Sequence, residues 1–266
     1  MAKETATVMA PIRAPKEPCG YEIVELKILE PFSVVKYMFC EAGLKLDPRT
    51  VREFWEHHVS VGSPWVSNSK AAIEKVHIPL GLFGDAAKVR QLSFNKSQKI
   101  LGIYLNAPLW RPRSCRASRW LIFSIREDLL FKHETLNKIY HHVTWSLNCL
   151  YEDKYPSSGP NGEELVGKQK DRAGQSICGG LKFSVTEIRG DWLYHKQVFR
   201  FRSSWKGGAN LPVCWQCPAM GSGVDRYYHV DASSPLWSKQ YNLIQFLVQQ
   251  LPETEVCVET IDQYTL

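Results

Sequence analysis

Between residues 78 and 190 the apolar residues change period from two to 3.6 and back to two, and that succession limits the folds open to the chain. Ile78, Leu80 and Leu82 share one face of a strand that runs up to Gly84 and Asp85. Residues 100–105 form a second strand stopped by Pro108, and residues 120–125 a third, with Pro112 and several arginines in the connection. A long helix follows, with Leu136, Ile139, Val143, Leu147 and Leu150 on one face and Pro156 beyond its end. Leu181, Phe183 and Val185 then share a face of a further strand that ends at Asp191, after which WLYHKQVFRF begins a helix. Strands with one apolar face and a helix with one apolar stripe bury both by layering, so the sequence predicts an α/β core.

The polar, Gly-rich stretch 157–177 interrupts that core as a loop or insertion. Residues 1–20, rich in Ala, Pro, Lys and Glu, read as a disordered leader, and residues 21–30 as a short strand closed by Pro31. Two short helices come next. Phe32, Val35, Met38 and Phe39 have helical spacing and Gly43 suits the C-cap. Asp47 N-caps the second helix with Pro48 at its first position, and Val51, Phe54, Trp55 and His58 share a face. The pair reads as a helical hairpin packed on the main domain; entry into DNA as a helix-turn-helix is the other use of such a unit. His57 and His58 point about 100° apart on a helix, which separates a packing His58 from a solvated His57.

With 44% hydrophobic and 12% aromatic residues, nine of them Trp, most of the 266 residues must fold. No apolar run near the start resembles a signal peptide, and no stretch reaches the roughly 18 residues of a spanning helix, so an intracellular protein without a membrane partner is expected. The eight cysteines are scattered, which in a reducing compartment favours free thiols or metal ligands over staples.

The net charge of +6 says less than its distribution. From Ala86 to Arg126 nine Lys or Arg residues occur with no acid, including Lys88, Arg90, Arg111, Arg113, Arg116 and Arg119. From Trp192 to Val224 there are four more, Lys196, Arg200, Arg202 and Lys206, again with no acid. Each stretch follows a Gly-Asp pair, at Asp85 and at Asp191. A lone carboxylate in positive surroundings suits a phosphate backbone brought to a metal site. Two carboxylates on neighbouring strand ends can hold two Mg²⁺ ions about 3.5 to 4 Å apart, which clamp the attacking and leaving oxygens of a phosphodiester. Glu187, at an even offset from Asp191, can assist. The competing reading makes each Gly-Asp a turn and the basic residues a solvated face.

CWQC at 214–217 has the spacing at which two thiolates reach one tetrahedral zinc, with His195, Cys178 or His229 as completing ligands; a reduced pair at a turn is the alternative. Neither G-x-x-x-x-G-K-[ST], G-x-G-x-x-G nor G-x-S-x-G occurs, so phosphate-loop and hydrolase-elbow chemistries have no anchor.

IPLGLFGDAAKV, KFSVTEIRGDWLYHKQVF and CWQC together resemble the central part of CACTA and Plavaka-like DDE transposases, over residues 76–220. The resemblance implies a ribonuclease H-like mixed sheet with flanking helices over residues 76–213, preceded by a helical segment at 21–75 and followed by a Cys-pair segment and tail at 214–266. It makes Asp85 and Asp191 the first two acidic residues of the catalytic set, with Mg²⁺ as cofactor, and Cys214 and Cys217 the cysteine pair, to which His195 is a candidate further zinc ligand. It further implies DNA as partner and a nuclear site of action. A third acidic residue is missing from a suitable helix, since YNLIQFLVQQL at 241–251 carries no acid. The function expected is therefore a transposase-derived DNA-binding protein with a partial metal-dependent phosphodiester-cleaving site. A non-catalytic nucleic-acid-binding or interaction protein on the same fold is the alternative.

Overall fold

A computed structural model describes residues 4–191 apart from 64, 65, 67, 68, 94, 95, 113, 115, 116 and 132, together with 194, 195 and 198. The chain divides into two compact units, Met1–Arg189 and Gly190–Leu266.

In the first unit, apolar alternation yields strands where partners lie close in sequence. The three central strands are β3 (Ile78–Ser93), β4 (Lys96–Asn106) and β5 (Trp120–Arg126), joined as an antiparallel meander. After helix α4 (Glu134–Glu152), strand β6 (Phe183–Gly190) lies beside β3, giving the order β5-β4-β3-β6. The Ile78 N–H donates to the Lys182 carbonyl (2.8 Å), and the Thr186 hydroxyl donates to the Leu80 carbonyl (3.3 Å). Residue numbers rise together along the two strands, so β6 runs parallel to β3 and the sheet is mixed, as the helical crossover requires. The α/β class is as expected.

Pairing decides the two faces of this sheet. Leu82 opposes Leu105, which opposes Trp120; Ala86 opposes Leu101, which opposes Ile125. With Leu80, Ile103 and Ile122 these residues form the inner face, buried except at half-buried Ala86. Phe39 covers part of it, its ring 4.9 Å from Phe183 and 6.3 Å from Trp120. Leu136, Ile139, Val143, Leu147 and Leu150 of α4 are all buried, as the helical spacing predicts, and α4 packs against α1 (Pro31–Lys36) and β1 (Thr5–Arg13).

The N-terminal segment corrects the sequence reading. Residues 1–20 do not form a disordered leader throughout: β1 pairs with β2 (Tyr21–Leu29) over nine residues as an antiparallel hairpin. Val8 and Ala10 bury one face, a pattern hidden by residues too small to register as strongly apolar. The hairpin is tied down at several points. Thr135 Oγ1 donates to the Pro11 carbonyl, the Phe32 N–H donates to Ser146 Oγ (3.1 Å), and buried Glu30 meets His142 Nε2 at 3.0 Å.

Both predicted helices are present, the first with a π-helical turn added. α1 passes into this turn at Tyr37–Glu41, and Gly43 beyond it adopts φ +75°, the left-handed conformation a helix end favours. α2 (Pro48–Ser60) begins as predicted, Asp47 Oδ1 accepting from Arg49 N–H (2.9 Å). Trp55 is fully buried and its indole N–H donates to the His77 carbonyl (2.8 Å). His57 is exposed, while His58 lies against Phe54 and is held below the ordinary histidine range by burial, then by His57. α3 (Lys70–Glu74) follows.

Residues 157–177 are largely loop, with one short helix, α5 (Lys168–Asp171). Their anchor is Asp153, the left-handed C-cap of α4 (φ 52°). Its buried carboxylate accepts from Ser176 Oγ (2.5 Å) and from the N–H groups of Ile177 (3.1 Å), Cys178 (2.6 Å) and Gly180 (2.6 Å). A buried carboxylate so saturated holds the chain between α4 and β6 in one path.

Candidate functional site on the outer face of the sheet

Asp85 does not end its strand. β3 continues eight residues beyond it, to Ser93, and Asp85 opposes Gly102 in the middle of the β3–β4 ladder. The Gly-Asp pair is thus no turn; the ladder with β4, which sequence alone could not place, carries the strand through it. By alternation Asp85 shares a face with Gly81 and Phe83, opposite to the buried Leu80, Leu82 and Gly84, and its side chain is exposed. On β4 the same face carries Gly102, Tyr104 and Asn106.

Two glycines shape this outer face. A Cβ at Gly102 would come within 2.6 Å of the Tyr104 ring and hydroxyl, so the phenol folds back over the residue that opposes Asp85. A Cβ at Gly81 would meet Asn106 Oδ1 at 2.5 Å and Glu187 at 2.6 Å. Glu187 Oε1 accepts from Asn106 Nδ2 (3.2 Å), and its other oxygen pairs with Arg189 (2.6 Å). Glu187 is therefore level with Gly81, four strand residues from Asp85 and roughly 13 Å along the strand at ordinary rise. It is engaged by Asn106 and Arg189 rather than assisting Asp85.

The basic residues divide by pairing. Lys99 reaches Glu127 (3.8 Å), and Arg126 is bidentate on Asp128, whose carboxylate raises the guanidinium's pKa and is itself held below the usual carboxylate range. Lys88 opposes Lys99 across the ladder, a like-charge juxtaposition that costs stability unless an anion is near. Lys88, Arg90, Arg111 and Arg119 are exposed and make no ion pair among the described residues. Arg119 stacks on Phe83, its guanidinium carbon 3.7 Å from the ring centroid. Arg113, Arg116, Lys196, Arg200, Arg202 and Lys206 lie outside the described residues.

Asp191 belongs to the second unit and follows β6 directly in the chain. Its carboxylate accepts from Tyr194 N–H (2.7 Å) and its carbonyl from His195 N–H (3.1 Å), the geometry of an N-cap, while Tyr194 is buried. Among the described residues no three His, Cys, Asp or Glu side chains form a metal-binding group. Mg²⁺ keeps several waters and is held by one or two carboxylates plus substrate phosphate; exposed Asp85 offers a carboxylate of that donor type, and the Asp191 carboxylate accepts from Tyr194 N–H. For zinc, Cys214, Cys217 and His229 lie outside the described residues. Cys178 is buried in the first unit beneath the Asp153 anchor, where burial and then Cys40 push its thiol upward. Cys149 is likewise pushed up to about 12, first by burial.

Phe83, Tyr104, Asn106 and Arg189 were not legible as site residues. Phe83 alone had a signal, its two-residue offset from Asp85. No helix among the described residues is long and apolar enough to cross a membrane. No family model, curated protein or solved structure matches the chain.

Proposed function

We propose that the chain is a transposase-derived DNA-binding protein on a ribonuclease H-like sheet, carrying a partial site for metal-dependent phosphodiester cleavage. One observation carries this reading: an exposed carboxylate, Asp85, stands in the middle of the first core strand, and the strand paired beside it, β6, leads directly into Asp191. Three antiparallel strands, a helix and a fourth strand returning parallel to the first agree with the succession that the transposase resemblance implies. In this reading Asp85 and Asp191 would each offer a carboxylate to Mg²⁺, which would stabilise the attacking and leaving oxygens. Lys88, Arg90, Arg111 and Arg119 neutralise backbone phosphates, displacing counterions without reading sequence.

A nicking assay on supercoiled DNA tests it. The full chain should nick with Mg²⁺ at low salt, and Asp85→Asn should abolish nicking while leaving binding intact. Affinity should fall with salt at a slope of about −0.9 per phosphate neutralised.

A second reading, binding without catalysis, is favoured by the Asp191 N-cap, which accounts for that carboxylate with no metal. DNA binding with steep salt dependence and no nicking at any Mg²⁺ concentration selects it. A flat salt response overturns both.

A further inference from the structure

Beside Asp85, on the same outer face, lies an open cavity of about 200 Å³ lined by Phe83, Asn106, Pro108, Trp110, Arg119 and Arg189. Phe83 and Asp85 are two residues apart on one strand, so the cavity begins next to the proposed cleavage carboxylate. Its chemistry is specific. Two guanidinium groups border it: Arg119, fixed by its stack on Phe83, and Arg189, tethered to Glu187 at 2.6 Å yet with 62% of its side chain exposed. Trp110 is supported from behind by Trp120, ring centroids 6.1 Å apart. Asn106 gives its amide N–H to Glu187, leaving Oδ1 buried with no hydrogen-bond partner among the described residues.

An indole and two arginines at one opening match two parts of one ligand. The indole suits the flat ring of a base, and the guanidinium forks a phosphate. The volume is below the roughly 300 to 1,000 Å³ of pockets that enclose whole drug-sized ligands, so it admits a base with its phosphate at the mouth, and not a base pair. We infer that this cavity receives one unpaired nucleotide of a DNA strand crossing the outer face, with the base on Trp110 and the phosphate between Arg119 and Arg189. The inference rests on the DNA-binding reading above and adds to it a preference for unpaired over duplex strand.

The test uses the full chain, tryptophan fluorescence and three probes at one low salt concentration: a 12-nucleotide mixed single strand, a blunt duplex of the same length, and deoxyadenosine monophosphate. Arg119→Gln and Trp110→Ala should each weaken the single strand by roughly 5- to 100-fold, the range for losing one base stack, and the duplex by less than about threefold. Trp110→Phe should restore most of the loss by keeping a stacking ring, which separates a binding role from a packing one. If neither DNA binds, the DNA-binding reading falls and takes the pocket with it. If both bind equally and the pocket variants weaken neither, the pocket inference alone falls. Binding of the mononucleotide as tight as that of the single strand would assign the pocket to a free nucleotide and overturn the strand assignment.

Discussion

The two faces of the four-stranded sheet are built from the same strands, alternate residue by alternate residue, and have opposite chemistry. The inner face is continuous hydrocarbon, with Leu80, Leu82, Leu101, Ile103, Leu105 and Ile122 all nearly inaccessible. The outer face sets Phe83, Asp85, Tyr104, Asn106 and Glu187 at the same strand levels, with Arg119 and Arg189 at its margin. One face holds the fold together and the other is available for function, so substitutions on them should separate stability from binding.

The largest separation should come from Ile103→Ala against Asp85→Asn. Ile103 has no exposed surface, and its truncation is expected to cost about 2 to 5 kcal/mol in urea unfolding. Asp85 is exposed and in no ion pair among the described residues, and its neutralisation should shift stability by less than about 0.5 kcal/mol. Equal costs would mean that the outer face is structural too.

Gly102→Ala probes where the outer face is tight. Its Cβ would collide with the Tyr104 ring, and a loss of about 1 to 3 kcal/mol is expected. In the double variant with Tyr104→Ala most of that loss should return, because the ring being struck is gone. No rescue would show that the backbone, and not the folded-back phenol, demands glycine.

Acid should act from the core side. His77 is fully buried, its Nε2–H donating to the Tyr151 carbonyl (3.2 Å), and burial is the chief cause that holds its pKa below 6.5. The unfolded chain takes up a proton near pH 6.5 that the folded chain resists. Stability from this group is therefore full above pH 6.5 and declines as pH falls below it. His77→Gln should flatten that part of the stability profile, whereas Asp85→Asn should leave it in place.

A small stability effect is expected for Arg119→Gln, an exposed residue whose stack on Phe83 is worth about 0.5 to 1 kcal/mol at such a site. A thermal midpoint little changed beside a clear loss of single-strand DNA binding would sharpen the contrast between the faces. A collapse of both would erase it.

Local periodicity determined a good deal without any structure. The α4 stripe, the Asp47–Pro48 helix start, the strand cores at 78–82, 100–105 and 120–125 and the α/β class all follow from residues within one turn or one pleat of each other. Composition concealed β1, because a strand of Thr, Val, Met, Ala and Pro carries too little hydrophobic contrast to announce itself until its partner covers it. The site was legible in Asp85, in Glu187 and Arg119 and, by its two-residue offset, in Phe83. Tertiary structure alone decided that β3 runs through Gly84–Asp85, since a Gly-Asp pair is equally a turn until a second strand accepts its hydrogen bonds. It also brought Asn106, Glu187 and Arg189 together across 80 residues of sequence, and set Arg119 on Phe83. Those contacts depend on register between strands distant in the chain, and a single-residue slip would send each side chain to the opposite face.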